Sequence, residues 1–277
     1  DLMGVLDTCL GCKACASTCP VQVDVPHMRA AFYADYFSRH ARPLADRLTL
    51  LAERFAPLTA KMTPFIRPFW PLARKVAATV MQAVDLPETL ARPQPVRDRI
   101  ALDALGRPLP EGTVLLWQDW FTALFDEALQ RDALAGFRAL GYRPLLVEML
   151  PAGKAALNLG DLAGFRAQGA RLADALQRAS ASGVPMIGLD PAFVMMLKQD
   201  YPKHGFAVGQ ILSPQEFLSR EISGGKSLPK AAAGVSAKLL NHCTEATARP
   251  GSGSEWKAVF EAIGVALEAP ATGCCGM

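Results

Sequence analysis

The spacing of apolar and polar residues divides the chain into two regimes. From His27 to Ser38, Met28, Phe32 and Tyr36 recur at helical spacing, and Leu44 to Phe55 repeats the pattern, so both stretches predict helices that pack antiparallel. Prolines then arrive at 57, 64, 68, 71, 87, 93, 95, 108 and 110, a density that predicts only short helices such as Leu72 to Val84, in a crossing segment that runs to about Gly112. From Thr113 the period changes. Val114-Leu115-Leu116-Trp117 reads as a short buried strand, Phe121 to Leu140 as a helix and Pro144 to Met149 as extended again, which makes a β-α-β unit. Gly160 to Ala181 predicts a helix capped by Asp161, Pro185 to Leu189 a strand and Ala192 to Gln199 a short helix. Ser213-Pro214-Gln215-Glu216 has the form of a capping box that opens a helix from Glu216 to Ile222, and Gly224, Gly225 and Gly234 bound a loop after it. Strands alternating with helices imply a parallel sheet with right-handed crossovers. The expectation is an all-helical first domain with its proline-rich connector over 1–112 and an α/β domain over 113–277.

The end of the chain repeats the first β-α-β unit without a gap, at a constant offset of 123 that carries Phe137 to Phe260, Gly141 to Gly264 and Gly153 to Gly276. A pseudo-two-fold pair of units follows. Their chemistry is not shared: Cys243 stands where the first copy has Trp120, and Cys274-Cys275-Gly276 stands where it has Pro151-Ala152-Gly153.

Composition narrows the class. The 277 residues are 51% hydrophobic, enough for a sizeable core, and a net charge of +3 without a dense Lys/Arg cluster argues against nucleic acid. No apolar run approaches the roughly 20 residues of a membrane span, and no signal-peptide pattern opens the chain, so a soluble protein is expected. Seven cysteines, an odd number with one adjacent pair, do not resemble a secreted disulfide framework, and the compartment reads as reducing. The chain begins at Asp1 inside an apparent helix and stops one residue after Gly276, which reads as a piece of something longer.

The chemistry concentrates in Cys9, Cys12, Cys15 and Cys19, spaced C-x2-C-x2-C-x3-C and followed by Pro20. Thiolates at i, i+3 and i+6 on a tight loop can reach three corners of one 4Fe-4S cubane, with Gly11 keeping the backbone close; the thiol before proline closes that cluster or another, so one ligand can lie outside the chain. A structural zinc is the alternative, although it prefers two separated C-x2-C pairs. His27, His40 and His204 read as surface or packing residues, and Trp70, Trp117, Trp120 and Met195-Met196 as core. There is no serine-histidine-acid arrangement, Walker loop or G-x-G-x-x-G.

These features resemble the C-terminal half of FAD-linked, iron-sulfur D-2-hydroxyacid dehydrogenases of the D-lactate and D-2-hydroxyglutarate type. The resemblance spans essentially the whole chain and is carried by Leu6-Asp7-Thr8-Cys9 through Asp24, by Asn241-His242-Cys243-Thr244-Glu245 and by Gly273-Cys274-Cys275-Gly276-Met277. It implies a helical-ferredoxin-like 4Fe-4S domain followed by a duplicated α/β cysteine-rich (CCG) domain. It also implies cluster ligation by Cys9, Cys12, Cys15 and Cys19, with FAD on a domain of the same longer chain or of a partner subunit. Electrons would pass to a quinone or other acceptor, in the cytoplasm or peripherally on the inner face of the membrane; homo-oligomerisation stays open. Iron-sulfur subunits of glycolate or glycerol-3-phosphate oxidase complexes are similar but carry two full cluster motifs, against one here. The family's first CCG is lost at Pro151-Ala152-Gly153, and its Pro-Ser-Cys at Pro191-Ala192-Phe193. Cys243, Cys274 and Cys275 are then expected to converge on one pocket, holding one iron or zinc ion with His242 or water, or staying as an unmetallated thiol pocket or a vicinal disulfide. Trp120, Pro151 and Phe193 are expected to line its metal-free half. Other open roles for the second domain are a structural or docking module and a thiol-disulfide site.

Overall fold

A computed structural model describes residues 2–21, 23–81 and 86–270 of the chain. The N-terminal part is helical: α1 (Leu2–Asp7), α2 (Ala14–Thr18), α3 (Val25–Arg39), α4 (Leu44–Ile66), one 3-10 turn (Arg67–Phe69) and α5 (Trp70–Met81). Helix α3 starts where the Asp24 carboxylate accepts from the His27 amide at 3.0 Å, with Pro26 in the first turn where its missing N–H costs nothing. Helix α4 overturns the expectation of short helices, because it runs 23 residues straight through Pro57 and Pro64. An interior proline costs about 3 kcal/mol in isolation. Here the opposite side of the ledger is tertiary: Glu53, Ala56 and Thr63 are buried along one face of the helix.

The connector contributes a two-residue strand, β1 (Arg99–Ile100). Then follow β2 (Thr113–Trp117), α6 (Trp120–Phe125), α7 (Glu127–Ala139), β3 (Arg143–Val147), α8 (Lys154–Asn158), α9 (Leu162–Ala181), β4 (Met186–Gly188), α10 (Pro191–Lys203), β5 (Ile211–Leu212) and α11 (Pro214–Ser223). All strand pairs are parallel, in the order β1-β3-β2-β4-β5. The single helix expected from Phe121 to Leu140 is two, because the Asp126 carboxylate accepts from the Leu129 amide at 2.8 Å and restarts the helix. Strand β2 is buried at all five positions because helices cover both faces of the sheet. Leu115 and Trp117 pack in one cluster with Phe165, Leu172 and Leu176 of α9, whereas Val114 and Leu116 pack in another with Leu134 and Phe137 of α7.

The last elements are β6 (Ser236–Lys238), α12 (Cys243–Ala248), α13 (Ser252–Ala262) and β7 (Ala266–Glu268). Strands β6, β7 and helix α12 begin 123 residues after β2, β3 and α6 begin. They form their own two-stranded parallel sheet rather than extending the first. This unit docks through α13 on α11 and α12 on α10. Buried Glu216 receives Lys198 and Arg220 from its own side and Arg249 from the docked unit.

The helical part is fastened to the α/β part at close range. Gly160 (φ 72) lets the turn between α8 and α9 touch α3: a Cβ there would lie 2.6 Å from the Ala34 nitrogen and from the Tyr33 Cβ.

Candidate metal centre at the carboxyl edge of the sheet

Cys9 follows α1 in a turn closed by its amide on the Leu6 carbonyl at 3.1 Å. Gly11 (φ 69) and Lys13 (φ 60) then bend the chain through left-handed conformations, and Lys13 is the one non-glycine residue among those described with positive φ. Such a conformation costs a lysine about 1 kcal/mol or more. Cys15 lies in the first turn of α2, and Cys19 ends that helix with its amide on the Cys15 carbonyl at 3.0 Å. The loop is tied down at each bend. Arg29 of α3 donates to the Cys9 carbonyl, and Thr247 Oγ1 of α12 donates to the Cys12 carbonyl at 2.8 Å. Lys13 Nζ pairs with Asp200 of α10 at 2.5 Å, both side chains only 12% and 11% exposed, which holds the strained residue in place. Three residues on, Lys203 pairs with Asp24. Burial alone would lift the Asp24 carboxyl, but the Lys203 ammonium and the His27 amide outweigh it and hold it below the ordinary carboxylate range. Beneath the loop the Tyr33 hydroxyl donates to Asp7; burial, then that carboxylate, pushes its pKa up to about 12.

These fastenings place the cysteine loop over the carboxyl ends of the parallel strands. The chain goes from β2 to β3 on one side of β2 and returns to β4 on the other, so the crevice between β2 and β4 is where such sheets bind ligands. A cavity of about 390 Å³ lies on this edge, with Cys12, His27, Lys154, Met196, His242 and Cys243 among its lining. Cys12 and Cys243, far apart in sequence, thus line one cavity. His204 sits behind His27, ring centroids 5.7 Å apart and edge-on to Phe165; burial, then His27, depresses its pKa and favours the neutral ring.

The five described cysteines are half-buried and free of disulfides, while Cys274 and Cys275 lie outside the described residues. Among the described residues no three His, Cys, Asp or Glu side chains are placed to hold a metal ion. By the chemistry and order of its donors the loop nevertheless fits an iron-sulfur cluster: four thiols within eleven residues, on a backbone bent by two left-handed residues.

The expected partner half of the Cys243 pocket is different. Trp120 packs instead with Ala56, Phe125 and Met149, Phe193 is core, and Pro151 borders a separate cavity. At Pro151-Ala152-Gly153, the counterpart of Cys274-Cys275-Gly276 in the repeat, the Tyr201 hydroxyl donates to the Ala152 carbonyl at 2.8 Å. Glu53, reaching across from α4, accepts from the Lys154 and Ala155 amides at 2.8 and 2.9 Å. Burial raises the Glu53 pKa and these amides oppose the rise. Two further acids were hidden in the sequence, Asp119 and Asp190, which cap α6 and α10 at the ends of β2 and β4. Burial, then the Asp190 charge, raises the Asp119 pKa. Their only signal was an acid directly between a buried strand and a helix, the N-cap position.

No family model matches the chain, and no solved structure does. Curated proteins do. The chain is 36% identical over 296 residues to D-2-hydroxyglutarate dehydrogenase of Escherichia coli, 35% over 292 residues to that of Pantoea ananatis and 32% over 302 residues to that of Haemophilus influenzae. Each match takes in 100% of this chain and 28% or 29% of the relative, so the chain spans little more than a quarter of the curated relatives it matches. Among the described residues no helix is long and apolar enough to cross a membrane.

Proposed function

We propose that this chain is the electron-transfer segment of an FAD-linked dehydrogenase that oxidises D-2-hydroxyglutarate, or a closely related D-2-hydroxyacid such as D-lactate, to the 2-oxoacid. The observation that carries the reading is the match to D-2-hydroxyglutarate dehydrogenases along the full length of the chain. We read the helical part as helical-ferredoxin-like and the part from about Thr113 as a CCG-type α/β domain. FAD and the hydroxyacid belong to the remainder of the longer protein, which this segment follows as a C-terminal portion, and a quinone or another carrier takes the electrons.

Cys9, Cys12, Cys15 and Cys19 would hold a 4Fe-4S cluster. Bound there, it supplies one-electron transfer, so the two electrons released when a hydroxyacid becomes an oxoacid leave one at a time. The chain's own contribution is to orient and fix the thiols. Arg29, Thr247 and the Lys13–Asp200 pair hold the loop backbone, and α10 and α12 pack beneath it. Holding the loop rigidly limits how far ligands move when charge changes by one unit. That keeps reorganisation small.

The experiment is made on the full-length protein. Cys12→Ser is expected to remove the broad visible absorption of a cluster and to reduce hydroxyacid-dependent acceptor reduction to background, while the flavin is still bleached by substrate in a single turnover. Undiminished acceptor reduction in Cys12→Ser, or protein without iron and sulfide, overturns the reading.

A second reading concerns the α/β domain alone: that it serves as a structural or docking module. It is favoured by Tyr201 and Glu53 occupying the hydrogen-bonding groups at Ala152 and Lys154, where a ligand set would otherwise be expected.

A further inference from the structure

The N-terminal helices carry a second feature that the cysteine site does not use. Helix α4 meets helix α5 across the 3-10 turn and packs against it there, so the two do not form one rod. Along α4, Leu44, Leu48, Leu51 and Phe55 follow one another at alternating steps of four and three. The alternation continues through Leu58, Met62 and Phe65, into the last turn of α4. That is a heptad seam, with Leu48, Phe55 and Met62 at a and the others at d. The seam faces outwards: Leu44 is 62% exposed, Phe55 50%, Leu58 58% and Phe65 69%. Exposed apolar residues on this scale mark a surface that something covers.

The pattern identifies the kind of cover. A helix lying on lipid needs a broad apolar arc, whereas a strict 3.5-residue repeat is the narrow seam that knobs-into-holes packing against another helix requires. The flanks identify its charge. The g positions on α4 are Arg47, Arg54 and Lys61, and the e positions are Ala45, Ala52, Thr59 and Ile66. Lys61 pairs with Glu148 at 2.9 Å, and Arg47 and Arg54 are exposed, with no ion pair among the described residues. Two antiparallel copies of this helix would set g against g, cation on cation. Two parallel copies would set cations against uncharged e residues, so self-pairing gains nothing at the flank.

We propose that the Leu44–Phe65 seam of α4 is covered by an amphipathic helix with an acidic flank, contributed by the part of the same longer polypeptide that lies outside these 277 residues. This rests on the reading of the chain as a segment of a longer protein, whose relatives exceed it more than threefold in length. Tethering supplies the partner at high effective concentration. The seam would then lock the cysteine domain against the remainder, with Glu53 transmitting the position of α4 directly to α8 beside the cavity.

The test uses full-length protein with a photo-reactive benzophenone amino acid in place of Leu58 or Phe65. The expected adduct runs at monomer mass and joins the seam to an acid-rich peptide outside these 277 residues. Arg54→Glu in the same background lowers its yield several-fold and Arg54→Lys does not. An adduct at twice the monomer mass, an adduct to lipid in membrane-containing preparations, or no adduct from either position overturns the proposal. An Arg54→Glu yield equal to the parent's does the same. None of these readouts depends on flavin, cluster or turnover, so the result is separate from the fate of the electron-transfer reading.

Discussion

In the unit that starts at Thr113, the turn into α6 is closed by the Ala123 amide on the Asp119 carbonyl at 3.0 Å; in the unit that starts at Ser236, the Ala246 amide closes on the His242 carbonyl at 2.9 Å. The far ends match as well. Tyr142 donates to Phe137 at 3.0 Å and Val265 to Phe260 at 2.9 Å, each beside a left-handed glycine, Gly141 (φ 85) or Gly264 (φ 79). Their surroundings differ. Strand β2 is buried throughout, whereas Ser236 and Lys238 of β6 are exposed. The residue that opens the following helix differs too: Trp120 packs inward with Phe125, and Cys243 opens onto the cavity it shares with Cys12. Capping residues and glycines set the hydrogen-bonded frame, which survives a change of environment. Chemistry is decided by which side chain stands at the first helical position after the strand and what lies above it.

The largest difference expected between the units is in core packing. Leu116→Ala removes a fully buried side chain between α7 and the sheet and is expected to cost about 2–5 kcal/mol. Leu239→Ala, at the equivalent position but half-buried, is expected to cost less than about 1.5 kcal/mol. Denaturant titration of both variants measures the contrast, and equal losses would mean that the second unit is covered as thoroughly as the first.

A smaller contrast lies one turn into the helices. Glu245 is buried and accepts from Ser252 Oγ at 2.5 Å and from Gln215. Glu245→Ala deprives two buried donors of a charged acceptor and is expected to cost about 1.5–3 kcal/mol, loosening the second unit from α11. Thr122, its counterpart, bonds its own cap Asp119, and Thr122→Ala is expected to cost about 1 kcal/mol. Hydrogen exchange should report the first as protection lost in α12 and α13 and the second as protection lost in α6. Loss spread evenly over both units would break the distinction.

What the sequence made legible follows the same division. The repeat offset, the capping box at Ser213 and the cap at Asp161 were readable because caps and turns act over three or four residues. The length of α4 was not, since the local cost of Pro57 and Pro64 was visible and the burial of Glu53 and Ala56 was not. Its heptad seam was written in the sequence but masked by reading each proline as a stop. The four N-terminal thiols were candidates on spacing alone. Glu53 and Tyr201 were not, because their partners at Lys154 and Ala152 lie far along the chain and only the fold brings them together.

The smallest contrast is in acid response, and the two regions should answer pH with opposite sign. In the first unit, burial and then Asp190 raise the Asp119 pKa above its ordinary 3.8, so the folded state binds that proton more tightly than the unfolded chain. Stability from this group is therefore greatest at low pH and declines as pH rises from about 3.8 through the folded value. At the dock of the second unit, burial would raise Glu216, but Lys198, Arg249 and Arg220 outweigh it and hold its pKa below 4.5. Its contribution is present above about 4.5 and is lost as pH falls through the folded value. Asp119→Asn should flatten the decline on the rising side, and Glu216→Gln should flatten the loss on the acid side while lowering stability at neutral pH, where three cations lose their shared carboxylate. Unfolding midpoints followed across this range decide it. Slopes of the same sign at both sites would show that the charge of Arg249 does not reach Glu216 in solution, and that the second unit sits less closely on α11 than its ion pairs imply.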